Sequence, residues 1–213
     1  MRRAIHAEWT KLRTVAAPRW LLLGGIALTV ATGVVDPARF TVTGVVIGQA
    51  PIAVLAVLAM SDEYGSGMIR ATLTATPRRT TALAAKAIVL TGLVAVTGTV
   101  ALLASSLVAR HALPDGSAFW SVLYLTLTAL LGLGIATVVR DSSASIGVVL
   151  GLLYLVPLLS RAIADPYWQG LIQRIAPGLA LHQPTAGDGL AVTAAWAATA
   201  LLTGAITLNR RDA

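Results

Sequence analysis

The sequence contains no cysteine in its 213 residues, and only 12% of those residues are charged. Without cysteine the chain has no disulfide framework, no thiolate nucleophile and no zinc–cysteine site. An average soluble domain is about 25% charged, so a soluble fold of this composition would lack the charge to cover its surface. Because 56% of the residues are hydrophobic and stand in long uninterrupted blocks, the composition predicts an integral membrane protein.

The residues that a membrane enzyme would use are missing as well. The three histidines, His6, His111 and His182, lie outside the apolar blocks, so none can form a serine–histidine pair at membrane depth. The sequence has neither an H-E-x-x-H motif nor the G-x-x-x-x-G-K-[ST] motif of an ATP-binding loop. We therefore expect no catalytic residue, no metal site and no cofactor in this chain.

Six blocks free of Asp, Glu, Lys and Arg are separated by short charged segments. A helix needs about 20 residues to cross the roughly 30 Å hydrocarbon core of a bilayer, so we predict a single all-α transmembrane domain over 1–213. The first block is the shortest, but Glu8 and Trp9 precede it and no A-x-A site stands directly after it, which argues against a cleaved signal peptide. The predicted spans are 18–35, 41–60, 87–109, 117–139, 142–160 and 189–209.

The sixteen Lys and Arg residues bring the net charge to +7. Because they stand between the apolar blocks, we interpret them as topology signals and contacts for anionic lipid headgroups, not as a nucleic-acid surface. Six spans place both termini on one side, where twelve of these basic residues fall, against four on the other side. This imbalance predicts cytoplasmic N- and C-termini.

No ionisable residue lies in the middle of a predicted span. A charge there costs at least about 3 kcal/mol by insertion scales, so membrane proteins keep one mainly where it has a function. Proton relays and ion-coupled carriers usually need such a residue. If this chain takes part in transport, we expect the energy to come from another source.

The N-terminal segment, 1–17, has an apolar stripe at helical spacing, formed by Ile5, Trp9, Leu12 and Ala16. Basic residues occupy its other faces. This pattern predicts an amphipathic helix that lies in the membrane interface. Two interpretations are open: an anchor that sets orientation, or a lateral helix that steers the first span and contacts a cytoplasmic partner.

The predicted loop 61–86 is the one sizeable cytoplasmic loop. Ser61, Asp62 and Glu63 have the character of an N-cap and an acidic first turn, and a short helix over 68–75 is predicted to end before Pro77. A helix this short is unstable alone in water, so it must pack on its own bundle or on a soluble protein. The basic residues that would rim such a contact are Arg70, Arg78, Arg79 and Lys86.

The predicted outer segment, 161–188, contains a second short amphipathic stretch, between Pro166 and Pro177. Ten residues of helix measure about 15 Å, half of a membrane. The stretch is therefore either an aromatic-belt helix at the interface or a lid over a transport path. Its apolar face carries Trp168, Leu171, Ile172 and Ile175.

Two predicted spans contain glycines four residues apart: Gly44 with Gly48, and Gly147 with Gly151. Such pairs allow two helices to approach closely. Glycine is common in membrane helices, so neither pair alone predicts a dimer.

A longer pattern lies between the second and third predicted spans: Glu63-Tyr64-Gly65-Ser66-Gly67-Met68-Ile69-Arg70-Ala71-Thr72-Leu73, then Pro77-Arg78-Arg79 and Ala85-Lys86. It resembles the E-Y-x-x-G-x-I-R-x-T-L…P-x-R…A-K pattern in permease subunits of ABC-2 type ATP-binding-cassette exporters of high-GC Gram-positive bacteria. The six-span arrangement extends the resemblance over essentially the whole chain.

The resemblance implies a role for each irregular segment. Ile5, Trp9 and Leu12 would belong to the family's connecting helix, and Trp168, Leu171, Ile172 and Ile175 to its outer gate. The second and fifth spans would line a path between two permease copies. The residues that would couple to the ATPase are Glu63, Tyr64, Gly67, Met68, Ile69, Arg70, Leu73, Pro77 and Arg79.

The resemblance also implies the partners. These are two copies of a cytoplasmic ABC ATPase, which would hold ATP and magnesium, and a second permease copy, either identical or a paralogue, in a bacterial cytoplasmic membrane. The apolar spans favour an amphiphilic or hydrophobic cargo such as a lipid, a peptide or an antibiotic. The alternative is a membrane scaffold or regulatory subunit that transports nothing.

Overall fold

The computed structural model describes residues 1–65, 67–68, 79–111, 113, 116–178 and 186–211. Within these ranges the chain is helical and has no β-strand, which confirms the predicted all-α class. The helices are α1 (Arg2–Thr14), α2 (Ala16–Val35), α3 (Phe40–Gly65), α4 (Arg79–Ala109), α5 (Ser117–Val139), α6 (Ser142–Leu150), a π-helical turn (Gly151–Leu155), α7 (Val156–Ser160), α8 (Pro166–Ile175) and α9 (Ala186–Arg211).

Six helical segments are long and apolar enough to cross a membrane, as the sequence predicts. They are α2, α3, α4, α5, the continuous segment Ser142–Ser160, and α9. We call Ser142–Ser160 the fifth span; it comprises α6, the π-helical turn and α7.

Helix α5 lies at the centre of the bundle and the fifth span at its edge. Of the most apolar 18-residue stretch of α5, 61% is buried inside the protein, against 17% of the corresponding stretch of the fifth span. Helices α3, α4 and α9 pack around α5, and α2 packs on α3 and α4. The largest fully buried side chains include Tyr124, Leu131 and Leu133 of α5.

The two glycine pairs have different surroundings. A Cβ added at Gly44 would lie 2.7 Å from the Thr32 hydroxyl of α2, so this glycine permits close packing within the chain. Gly48 likewise faces the side chain of Thr29. At Gly147 and Gly151 an added Cβ would meet nothing within 4 Å, because these glycines lie on the sparsely packed fifth span.

Tyrosine hydroxyls join the buried α3 to its neighbours. Tyr124 of α5 donates a hydrogen bond to Gln49 Oε1 (2.6 Å), and Tyr154 donates to the Val46 carbonyl (2.5 Å). Tyr154 belongs to the π-helical turn, where the backbone is wider than in an α-helix. This bond fastens the edge of the bundle to its core.

The second and third membrane helices are longer than the spans predicted for them. Helix α3 continues to Gly65 and α4 begins at Arg79, so residues 61–65 and 79–86 of the predicted loop are helical. Ser61, Asp62 and Glu63 therefore lie in the last turns of α3 and do not open a new helix. The physical reason is charge pairing between the two extensions.

Candidate functional site: a four-charge network at one end of the bundle

Helix α1 lies against the bundle because the chain turns sharply between α1 and α2. Val15, between them, has an extended backbone (φ −81°, ψ 141°), and Pro18 stands in the first turn of α2, where proline is tolerated. The turn lets α1 pack on the first turns of α4, near the end of α3. This turn brings α1 together with the end of α3 and the start of α4.

Lys86 of α4 is at the centre of this meeting point. Its ammonium donates to Glu63 Oε1 (2.6 Å), to Glu8 Oε2 (2.7 Å) and to the Ala59 carbonyl (3.0 Å). An ammonium group has three donors, so all of them are used. Only 3% of the Lys86 side chain is exposed to solvent.

Lys11 of α1 completes the network. Its ammonium donates to Glu63 Oε1 (2.6 Å) and to Glu8 Oε1 (3.1 Å), so one oxygen of Glu63 bridges both lysines. Burial by itself lowers the pKa of Lys11, but hydrogen bonding and attraction to Glu63, then to Glu8, outweigh burial, and the pKa is raised above its ordinary value. We call Glu8, Lys11, Glu63 and Lys86 the four-charge network.

The network is electrically neutral and joins three helices. Removing charges from water costs several kcal/mol per ion, and attraction between them offsets this cost only with good geometry and hydrogen bonds. Four direct ion pairs at 2.6–3.1 Å meet that condition. Loss of one lysine would leave a single positive charge for two buried carboxylates, so the network holds α1, α3 and α4 together as one unit.

A cavity of about 220 Å³ adjoins the network. Its walls are mostly apolar, and Glu63, Asp62 and Lys86 are among its polar lining residues. The second oxygen of Glu63, Oε2, is buried and has no hydrogen-bond partner among the residues that the structure describes.

The sequence contains a signal for this network that hydrophobic periodicity does not register. Glu8 and Glu63 are the only glutamates of the chain, and Lys11 and Lys86 are its only lysines. Every other acidic residue is aspartate and every other basic residue is arginine. The motif contains Glu63 and Lys86, and no local pattern links it to Glu8 and Lys11, yet rare residue types that recur beside successive apolar blocks indicate a shared site.

The predicted coupling residues divide into two sets. Glu63 and Tyr64 lie in the last turn of α3. The guanidinium carbon of Arg140, which follows α5, lies 5.1 Å from the centre of the Tyr64 ring. Gly67 has a positive φ of 70°, a conformation that glycine adopts readily, and Met68 lines the cavity. Arg79 begins α4. Outside the described residues lie Ile69, Arg70, Leu73 and Pro77, and with them most of the predicted helix 68–75.

The predicted connecting-helix residues share the contact between α1 and the bundle with a charged residue. Leu12 lines the cavity and Ile5 is half-buried, but 41% of Trp9 is exposed. Glu8 is buried, more so than any other α1 side chain whose burial the structure describes. The contact between α1 and the bundle is therefore centred on a charged residue as well as on the apolar stripe.

The predicted outer-gate residues all lie on α8, between the fifth span and α9. Asp165 caps this helix by accepting a hydrogen bond from the Tyr167 amide (2.8 Å). No residue of α8 is buried, and Trp168 and Ile175 are each at least half exposed. Trp196 of α9 donates its indole N–H to the Ile175 carbonyl (2.8 Å), which fastens the end of α8.

No known family model and no curated protein sequence matches the chain. The architecture and the site therefore carry the argument about function. They describe a multi-pass membrane protein in which a four-charge network joins an N-terminal helix to the adjoining ends of two membrane helices.

Proposed function

We propose that the chain is the membrane-spanning permease subunit of an ATP-driven exporter of the ABC-2 type. It would work as a dimer with two copies of a separate cytoplasmic ATPase, in a bacterial cytoplasmic membrane with both termini in the cytoplasm. The cargo would be amphiphilic or hydrophobic. The motif between residues 63 and 86 supports this proposal, together with the network that adjoins it.

The four-charge network is the observation that carries the proposal. It ties α1 to the two helices that flank residues 66–78, where most of the motif lies. A force on that segment would be transmitted to both helices together, because the ion pair between Lys86 and Glu63 joins the end of α3 to the start of α4. The push would move α1, α3 and α4 together.

Coupling then follows from rigid-body motion. Closure of the ATPase pair would displace the end of α3 and with it the rest of this helix, in which Gln49 accepts a hydrogen bond from Tyr124 of α5. Packed helices move as units between discrete arrangements. Access to a cavity between two permease copies would change from one side of the membrane to the other.

The test is co-purification of the tagged full chain from its native membrane in mild detergent. We expect a P-loop ATPase in roughly stoichiometric amount, lost in the double variant Arg70→Glu, Leu73→Asp. The matched control makes the same changes at the other end of the bundle, Arg174→Glu, Leu171→Asp, and should retain the ATPase. Both variants should still insert into the membrane.

Two results would contradict the proposal. If no ATPase co-purifies with intact, folded chain, the scaffold or regulatory function replaces it. If both double variants retain the ATPase and its cargo-dependent activity, the coupling assignment of residues 69–73 is wrong.

A further inference from the structure

The cavity beside the four-charge network is enclosed mainly by apolar side chains. Its wall comes from α1, α2, α3 and α4 and from the turn between α1 and α2. An engineered cavity of about 150 Å³ with apolar walls holds benzene, so a volume of about 220 Å³ accommodates a short alkyl chain. The apolar lining residues of these helices and the turn are Leu12, Val15, Pro18, Ala59, Val89 and Leu90.

The charges of the network beside the cavity already compensate one another. Glu8 and Glu63 balance Lys11 and Lys86, and four direct ion pairs join them. Asp62, which also lines the cavity, has an interaction of its own within the chain. A charged ligand would bring a charge that the balanced network does not compensate, and such a charge is costly away from water. The cavity therefore favours a neutral ligand.

A polar atom beside the cavity lacks a hydrogen bond. Glu63 lines the cavity, and only 7% of its side chain is exposed to solvent. Its Oε1 accepts from both lysines, whereas its buried Oε2 accepts no hydrogen bond from the described part of the chain. A buried acceptor without a donor costs free energy, and a hydrogen bond to an ionised carboxylate is stronger than one between neutral groups. The oxygen therefore favours a ligand that carries a hydrogen-bond donor.

Water alone fits this space poorly. A buried water forms about three hydrogen bonds, and most of the wall presents carbon atoms to it. A hydroxyl group on an alkyl chain can donate to the carboxylate, while the alkyl chain and the apolar wall remove each other from water. A neutral donor beside apolar walls therefore indicates an alcohol.

We propose that this cavity binds a neutral amphiphile that carries one hydroxyl group on a short alkyl chain. The hydroxyl would donate to Glu63 Oε2, and the alkyl chain would lie against Leu12, Val89 and Leu90. Because the wall includes residues of α1 as well as α3 and α4, the bound alcohol would strengthen the attachment of α1. This binding goes beyond the proposed function, since it belongs to the chain alone and requires no ATPase.

The test uses the purified full chain in lipid nanodiscs, with n-octanol as the probe. 1-Methoxyheptane has the same carbon and oxygen content and accepts but cannot donate a hydrogen bond, so it controls for partition into lipid. We expect a saturable rise in the thermal unfolding midpoint with n-octanol, measured against the same membrane concentration of the ether. Equal midpoints with the two compounds, or a rise that does not saturate, would overturn the proposal.

A charged probe tests the preference for a neutral ligand. n-Octylammonium has the same alkyl chain and carries N–H donors, but it adds a positive charge to a balanced network. Its effect on the unfolding midpoint, again measured against the ether, should therefore be smaller than that of n-octanol. A larger effect of n-octylammonium would show that the cavity selects a cation and would overturn the proposal.

Two variants locate the effect, and both keep every charge of the network. Ala59→Leu fills the cavity, so the apparent affinity for n-octanol should fall about tenfold, whereas Ala198→Leu, on the exposed face of α9, should leave it unchanged. Leu12→Ala enlarges the cavity and should shift the preference between n-octanol and n-decanol towards the longer alcohol, even if Ala59→Leu proves unstable. Wild-type affinity in a folded Ala59→Leu, or an unchanged chain-length preference in Leu12→Ala, would show that the alcohol binds elsewhere.

Discussion

The two ends of the bundle carry short helices that are attached in opposite ways. At one end, α1 contacts the bundle through Glu8 and Lys11, which pair with Glu63 and Lys86. At the other end, α8 has an apolar face of which no residue is buried by the protein. The difference follows from the solvent. A bilayer can cover an apolar face, whereas a charge removed from water must find its partner within the protein.

In soluble proteins an apolar face indicates where a helix docks. In this chain the strongest attachment is charged, and the apolar faces of Trp168 and Ile175 remain available to lipid. The effect of a substitution should therefore fall from the buried Lys86, through the Trp196 indole that fastens α8, to Lys11 of α1, of which one third is exposed.

The largest effect is expected from Lys86→Met, which keeps an unbranched side chain one atom shorter and removes the charge. The carboxylates of Glu8 and Glu63 would then stay buried with less compensation, and breaking such a buried pair costs about 3–5 kcal/mol. The free energy of unfolding in a denaturant titration of the micelle-bound chain measures the loss. A wild-type value would show that the network contributes nothing to the attachment of α1.

Two controls accompany that measurement. Arg174→Met removes a charge from the exposed surface of α8 and should change the free energy of unfolding by less than about 0.5 kcal/mol. Adding Glu63→Gln to Lys86→Met removes one stranded carboxylate and should recover part of the lost stability. An additive double variant would indicate that the two residues do not interact.

A smaller effect is expected at the opposite end from Trp196→Phe. The substitution removes the indole donor to the Ile175 carbonyl, a bond of the kind that contributes about 0.5–1.5 kcal/mol. Amide hydrogen exchange in α8 should therefore accelerate about two- to tenfold, with the rest of the bundle unchanged. Trp20→Phe, at a highly exposed tryptophan of α2, should leave exchange in α8 unaltered; equal acceleration in both would refute the specific role of Trp196.

The smallest effect concerns Lys11 and pH. Because its pKa is raised by folding, the stabilisation from its charge is fully present below the ordinary pKa of 10.5 and is lost as the pH rises through the raised value. One third of the side chain is exposed, so water screens the interaction and keeps the effect small. The difference in unfolding midpoint between wild type and Lys11→Met should be constant near neutral pH and shrink in strong alkali. A difference in unfolding midpoint that grows with pH would contradict the raised pKa of Lys11.

The six membrane helices could be predicted from sequence because block length and the absence of charge are sufficient to identify them. The same criterion does not give the ends of the helices: the second predicted span stops before Glu63 and the third begins after Lys86, whereas α3 and α4 include these residues. Two opposite charges that pair across α3 and α4 let both helices continue past the apolar blocks. A rule that scores each charge alone cannot register that compensation.

In the short helices, too, local signals predict the limits of a helix but not its distant contacts. Pro166 and Pro177 marked the limits of α8, because proline restricts the backbone locally whatever surrounds it. An interfacial helix over 1–17 followed by a span from residue 18 implies a turn between them, and Pro18 in the first turn of α2 is a signal for a helix start; the structure places that turn at Val15. The docking of Glu8 depends on residues far along the chain, so local sequence could not reveal it.

Because both lysines lie in one network, their reactivity towards a chemical label depends on whether α1 is docked on the bundle. Apart from the terminal amine, a reagent selective for primary amines has only Lys11 and Lys86 to modify. Lys86 is almost completely shielded while α1 is docked, and its labelling rate therefore measures how often α1 leaves the bundle. A chain without cysteine offers no competing thiol. Motion of the N-terminal helix can thus be followed chemically in a native membrane, without introducing a single substitution.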